Sequence, residues 1–178
     1  MEEQQLIQQI LRGDRESFRF LYRLHAHAAW QLAFSICKNK NIAEEAVQNA
    51  FLSAFNYLHT FRQDSSFKTW LLRIVFNESI RMQKLERKYQ WQDIVTNEYG
   101  EENLQVTASS SLHKKETKEQ VENILSKLNE KEALVLHLFY LEEMSIKEIV
   151  EIVGYTESNV KVILHRARKN FKFEYEKI

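Results

Sequence analysis

The 178-residue chain contains no proline and only three glycines. Tight β-turns and hairpins draw on those two residues, so a strand-rich fold has almost no turn material here. Phosphate-cradling loops of the GxGxxG or GxxxxGK[ST] kind are excluded on the same count. The single cysteine, Cys37, leaves no internal disulfide and no cysteine-based zinc site, which suits a reducing compartment. No run approaches 18 uninterrupted apolar residues, so no membrane insertion is expected. The N-terminal MEEQQLIQQI is acidic and amphipathic, unlike the basic-then-apolar start of a secretory signal, and the expected location is cytoplasmic. The six histidines (His25, His27, His59, His113, His137, His165) form no HxxxH pair, and His25 and His27 fall on different helix faces. Most of them read as surface or partly packed groups, and the adjacent pairs Glu44/Glu45 and Glu142/Glu143 as solvated carboxylates. No catalysis, metal or cofactor is expected.

What is present favours an all-α chain with a real core, since 44% of residues are hydrophobic and 12% aromatic. Asp14, Asn41, Ser66, Asn129, Ser145 and Thr156 each precede an apolar-periodic run and can accept the first free backbone N–H groups of a helix. Asn41 with Glu44, Asn129 with Glu132, and Ser145 with Glu148 have capping-box spacing. Helices are predicted at 2–11, 15–37, 42–59, 67–88, 115–127, 130–141, 146–153 and 157–173. The stretch 89–113, with Gly100 and the polar run Thr107 to Ser111, shows no clean period of 3.6. It reads as a flexible linker between two small helical domains, 1–88 and 114–178, the second a helix-turn-helix.

The formal net charge is zero, but the charges are unevenly placed. Residues 61–90 carry Arg62, Lys68, Arg73, Arg81, Lys84, Arg87 and Lys88 against Asp64, Glu78 and Glu86. Residues 157–172 carry Lys161, Arg166, Arg168, Lys169 and Lys172 against Glu157 alone. Residues 91–113 hold Asp93, Glu98, Glu101 and Glu102 with no lysine or arginine. Two basic segments flanking an acidic one suggest two DNA-contacting modules and a connector that touches something else. Ordinary solvated helix faces would produce the same counts.

The strongest local pattern is SIKEIVEIVGYTESNVKVILHRARK. Ile146, Ile149, Val150 and Val153 make an apolar stripe that ends at Gly154, which can take the left-handed turn between helices. Thr156 then opens a helix with Val160, Ile163, Leu164, Ala167 and Phe171 on its inner face. Ser158, Asn159, Lys161, Val162, His165, Arg166, Arg168 and Lys169 face outward. Short polar groups near a helix N-terminus suit base edges, and cations further along suit phosphates. An αα-hairpin with a solvated basic face is the alternative. The preceding helix offers Leu128, Leu134, Val135, Leu138 and Leu141 as a stripe to pack behind such a pair.

Upstream, Ala43, Ala46, Val47, Ala50, Phe51, Ala54 and Leu58 form a dense apolar face beside Glu44, Glu45, Gln48 and Asn49. A polar loop, Arg62 to Ser66, then sits between Phe61 and Phe67 and leads into a helix with Trp70, Leu71, Ile74 and Val75 inside. Such a loop beside aromatics and cations can hold an unstacked base. Aromatics at these spacings also form ordinary cores.

In both places the chain resembles the extracytoplasmic-function (ECF) sigma factors of RNA polymerase. Leu128, the Ala133–Leu141 helix, the Ser145-to-Gly154 helix and turn, and Val160-Lys161…Leu164-His165-Arg166-Ala167-Arg168-Lys169 resemble sigma region 4. Gly13-Asp14, Phe18, Leu21-Tyr22, Ala43-Glu44-Glu45…Val47-Gln48…Phe51 and Phe61-Arg62…Phe67…Trp70-Leu71…Arg73-Ile74…Asn77 resemble sigma region 2. The resemblance implies minus-35 recognition by Ser158, Asn159, Lys161, His165, Arg166, Arg168 and Lys169. It implies minus-10 contacts by Arg62, Gln63, Asp64, Ser65, Ser66, Lys68, Trp70, Arg73, Asn77 and Arg81. Glu44, Glu45 and Gln48 are implied to dock on the β′ clamp of core polymerase, the second module on the β flap, and an anti-sigma factor is implied as a further partner. The chain departs from the family at Val150, where a small alanine is common, and at Val162 and Ile163, often Ser and Arg. It departs also at Ile42 and Asn49, usually acidic, and at Arg81, where Asp is frequent. A ligand-binding or dimerising helix-turn-helix repressor, and a helical interaction protein without a DNA role, are the readings of other classes.

Overall fold

The end signals of the sequence become helix ends largely where they were expected. The computed structural model describes residues 3–96, 121 and 123–177, and every regular element among them is helical. Helix α1 (Glu3–Leu11) buries Leu6, Ile7 and Ile10. Asp14 then accepts the Glu16 N–H at 3.1 Å and the Ser17 hydroxyl at 2.7 Å, capping one 3₁₀ turn that runs into α2 (Phe18–Cys37). Lys38 takes the left-handed conformation (φ 55°) and ends α2 without a glycine. Helix α3 (Lys40–Tyr57) therefore begins before residue 42, and its cap is Asn39 rather than Asn41: Asn39 Oδ1 accepts the N–H groups of Asn41 and Ile42. The Ser66 hydroxyl caps α4 by accepting the Thr69 N–H at 3.1 Å.

Helix α4 spans Phe67–Thr96, so residues 89–96, expected to open the linker, are helical. No proline or glycine lies between Phe67 and Gly100 to stop it. The rest of the expected linker, 97–113, and residues 115–120 of the expected helix 115–127 lie outside the described residues; 123–127 are helical.

Helices α2, α3 and α4 pack against one another pairwise. Ala43, Ala46, Ala50 and Ala54 of α3 are fully buried, and their small side chains let the neighbouring backbones approach closely. Phe18 and Tyr22 of α2 close on the Phe51 ring at 6.3 and 4.7 Å. Gln83 donates to the Ile36 carbonyl at 2.7 Å and so ties the end of α2 to α4. Cys37 sits half-buried beside Ser79, and burial pushes its thiol pKa up, away from reactivity.

In the C-terminal half Asn129 accepts the Lys131 N–H at 3.0 Å and caps α5 (Glu130–Leu136). The capping box expected with Glu132 does not form, because Glu132 accepts from Asn170 at 2.9 Å instead. The helix expected to continue to 141 widens at His137–Leu141 into a π turn, closed by the Glu142 N–H donating to the His137 carbonyl. The wider turn breaks the 3.6 register: Leu134, Val135 and Leu138 are buried as expected, while Leu141 is half exposed. Helices α6 (Ile146–Val153) and α7 (Glu157–Tyr175) follow. Helix α4 packs against α6 and α2 against α5, and the buried side chains of both halves form one continuous core.

Candidate nucleic-acid interface

The α6–α7 pair is set by short-range bonds. The Ser145 hydroxyl accepts the Glu148 N–H at 3.3 Å while the Glu148 carboxylate accepts the Ser145 N–H at 2.9 Å, a complete capping box. Gly154 ends α6 at φ +71°, its N–H donating to the Val150 carbonyl at 2.9 Å. Open space surrounds the position of a Cβ there, so the demand for glycine is conformational and not one of room. Thr156 accepts the Asn159 N–H at 3.2 Å and starts α7.

On α7 the two faces separate cleanly. Val160, Ile163, Leu164 and Ala167 are buried and Phe171 is half-buried, while Ser158, Asn159, Lys161, Val162, His165, Arg166, Arg168 and Lys169 are exposed. Lys161 pairs with Glu157 one turn earlier and draws that carboxyl below its usual range. Arg168 is placed differently from its neighbours. Its guanidinium lies over the Phe139 and Tyr140 rings at 5.2 and 5.5 Å, and its Nε donates to the Tyr140 hydroxyl at 2.8 Å. It braces α7 against the π turn.

In the N-terminal half the aromatics form a platform. The Phe61, Phe67 and Trp70 rings meet at 5.4 to 5.8 Å, with His25 against Phe67 at 5.4 Å. Phe67 is buried, and Phe61 and Trp70 are half-buried. Arg62, Gln63, Asp64 and Ser66 are exposed and Ser65 is half-buried, in a loop held at both ends by this platform. Gln63 takes a left-handed conformation (φ 62°) in its middle. Arg73, Asn77 and Arg81 are exposed at successive four-residue steps of α4, which puts them on one face. Arg81 is held by Glu78 through two hydrogen bonds of 2.7 and 2.9 Å. Lys68 does not join that row: its Nζ is 2.7 Å from Glu142 Oε2 and donates to the Glu142 carbonyl at 3.1 Å. Glu44, Glu45 and Gln48 are exposed on α3 beside half-buried Ile42 and Asn49, with Lys40 3.9 Å from Glu44.

Several polar groups stand in places that no local pattern announces. Glu142, expected in water, has a side chain only 7% exposed. Its carboxyl pKa is held down at about 2; the His137 imidazole beside it is the largest influence, and Lys68 adds to it against the opposing effect of burial. The contact with His137 Nε2, at 3.5 Å, is a close approach and not a well-formed hydrogen bond. His137 and His25 are both buried, exceptions to the setting expected of most of the histidines, and His25 Nε2 meets Glu3 Oε1 at 2.5 Å. Thr69, 1% exposed, donates to Glu148 Oε1 at 3.0 Å. Among the described residues no three His, Cys, Asp or Glu side chains gather as a metal site, and no helix is long and apolar enough to cross a membrane.

Two exposed polar and basic helical surfaces, one behind a capped turn and one beside an aromatic-clamped loop, are the surfaces that a bipartite DNA-reading class of protein requires. The sequence matches the family descriptions Sigma-70 region 2 over residues 21–89 and Sigma-70, region 4 over residues 118–171. It is similar to the RNA polymerase sigma factor YlaC of Bacillus subtilis, 32% identical over 158 residues that cover 89% of this chain and 91% of that protein. It is similar also to the ECF RNA polymerase sigma factor SigW of the same organism, 30% identical over 173 residues, 92% of this chain and 91% of that one. The fold is shared with the sigma factor RpoE of Bartonella quintana, solved in complex with the anti-sigma factor NepR, at a TM-score of 0.69 and 21% identity over 90% of this chain and 98% of that one. The chain belongs to the ECF group of sigma-70 family RNA polymerase sigma factors. Such proteins direct RNA polymerase to specific promoters, and that is the function of this one.

Proposed function

We propose that this sigma factor reads its promoters in two pieces, minus-10 through residues 1–88 and minus-35 through residues 114–178. The observation that carries the reading is α7, which buries Val160, Ile163, Leu164 and Ala167 and turns Ser158, Asn159, Lys161, His165, Arg166 and Lys169 outward from a capped N-terminus. Polar groups at its start suit base edges in a major groove, and the cations beyond suit phosphates. Arg168 serves by holding α7 at its angle to the π turn. In the N-terminal module the Arg62–Ser66 loop receives an unstacked minus-10 base, supported by the Phe61–Phe67–Trp70 platform, and Arg73, Asn77 and Arg81 follow the opened strand. Lys68 joins them once it is released from Glu142.

Glu44, Glu45 and Gln48 dock the protein on the β′ clamp of core polymerase, and the C-terminal module engages the β flap. An anti-sigma factor is a further partner, the setting in which the similar RpoE was solved. The protein works in the cytoplasm, on DNA and polymerase and not as an enzyme. Glu45→Arg places a cation in the docking face and is expected to weaken core binding, by about tenfold for each 1.4 kcal/mol lost. Binding of the purified variant to core polymerase measures this, and wild-type affinity would remove Glu45 from the docking face. Because Glu45 is exposed, its fold stability is expected to stay within about 0.5 kcal/mol of the parent.

A further inference from the structure

We propose that α1 is part of the minus-10 reading site, with Glu3 and His25 as positioning residues for the loop that receives the base. Helix α1 lies outside the span 21–89 that matches sigma region 2. It nevertheless supports both anchors of the Arg62–Ser66 loop. The anchor before the loop is Phe61, whose N–H donates to the Leu58 carbonyl at 3.0 Å. Leu58 is 2% exposed and opens the turn Leu58–Thr60, against which α1 packs. The anchor after the loop is Phe67. Its ring lies against that of His25 on α2, with centroids 5.4 Å apart, and His25 is held by Glu3 of α1.

The Glu3–His25 pair differs from the solvated ion pairs on the rest of the surface. The His25 side chain is 7% exposed and that of Glu3 31%. An ionised carboxylate only accepts, so the hydrogen between them sits on His25 Nε2. The outer torsion of a histidine side chain is broad, and its ring plane is set by the partners it finds. The bond to Glu3 fixes that plane, and with it the 49° tilt at which His25 meets Phe67. Phe67 in turn meets Phe61 at 84° and Trp70 at 39°. A rotation of the His25 ring is therefore passed to the two half-buried rings beside the loop. Without Glu3 the Nε2–H has to turn toward water, because an unpaired buried donor is costly. Leu6, Ile7 and Ile10 still anchor α1 in the core, so loss of the pair loosens the platform and leaves the helix in place.

The assignment rests on base capture by the Arg62–Ser66 loop, and capture itself can be measured. The full chain is bound to core polymerase and titrated with a forked DNA from a promoter at which it directs starts. The same fork is then made with a single abasic site at each minus-10 position of the unpaired strand in turn. For the wild type, one captured base is worth about 5- to 150-fold in affinity, lost at its own position only. Glu3→Ala and, separately, His25→Leu are expected to cut that loss to less than about threefold, with affinity for the abasic fork and for core unchanged. Glu3→Gln removes the same charge from the start of α1 but keeps an acceptor oxygen at the same reach, and is expected to restore the full loss. Full discrimination in both Glu3→Ala and His25→Leu overturns the proposal. Equal weakening of intact and abasic forks also overturns it, since that is what a role in stability alone produces, and so does failure of Glu3→Gln to restore capture. Failure of the base-capture reading appears in the wild type itself, as no position at which an abasic site matters, and sinks the proposal with it.

Discussion

Phe67→Ala is expected to destabilise the protein by about 3–5 kcal/mol, the cost of a large aromatic truncated in a packed core. Phe67 is 2% exposed, and its ring is touched by those of His25, Phe61 and Trp70, so no neighbour can move in without losing its own contacts. Chemical unfolding measures the change as a lower midpoint at constant slope. The same truncation removes one of the two anchors of the Arg62–Ser66 loop. Minus-10 strand capture is therefore expected to fall further than stability alone dictates, even at temperatures where the variant is folded. A loss of less than about 1 kcal/mol would show that the platform is loosely packed, since surface substitutions already reach about half that.

Arg166→Ala is expected to reduce minus-35-dependent transcription by about 5- to 150-fold, the equivalent of about 1–3 kcal/mol for one arginine reading a base. Arg166 is exposed on the outward face of α7, one turn beyond Val162 and beside His165. A base contact relaxes preference at one promoter position and leaves the others unchanged. A phosphate contact weakens all promoters alike and lowers the salt slope by about one. Transcription from a promoter series with single minus-35 substitutions, repeated at two salt concentrations, separates the two. Unchanged promoter use would remove Arg166 from the interface.

Features governed by local rules were legible from the sequence. The α6–α7 turn needed a capping box, a left-handed glycine and a threonine cap within a dozen residues, and Ser145, Glu148, Gly154 and Thr156 supplied them where expected. The burial of α7 follows its 3.6-residue period without exception from Val160 to Phe171. Where two local solutions competed, the choice was hidden. Asn39 and Asn41 are both plausible caps, and Lys38 entering the left-handed region decided for the first. The extent of α4 past Lys88 was masked because a helix without an apolar stripe shows no period, although nothing there breaks it.

Features created by distant partners were not legible at all. Glu142 reads as a solvated acid because its cation, Lys68, lies 74 residues away and meets it only through packing of α4 on α6. Thr69 looks like an ordinary helix residue until Glu148, 79 residues on, accepts its hydroxyl. The π turn at His137–Leu141, which delivers Glu142 to that position, likewise has no pattern of its own. The exposure of the candidate site residues was thus readable from period and charge, and the contact that joins the two halves was not.

Purified core RNA polymerase supplied with this protein and with genomic DNA, followed by mapping of transcript starts, tests bipartite promoter recognition most directly. The expected result is a discrete set of starts that depend on the protein and share two upstream sequence elements at constant spacing, with weak binding of bare promoter DNA in the absence of core. Tight, sequence-specific binding to DNA without core, and no protein-dependent starts with it, would contradict promoter reading as part of the polymerase holoenzyme.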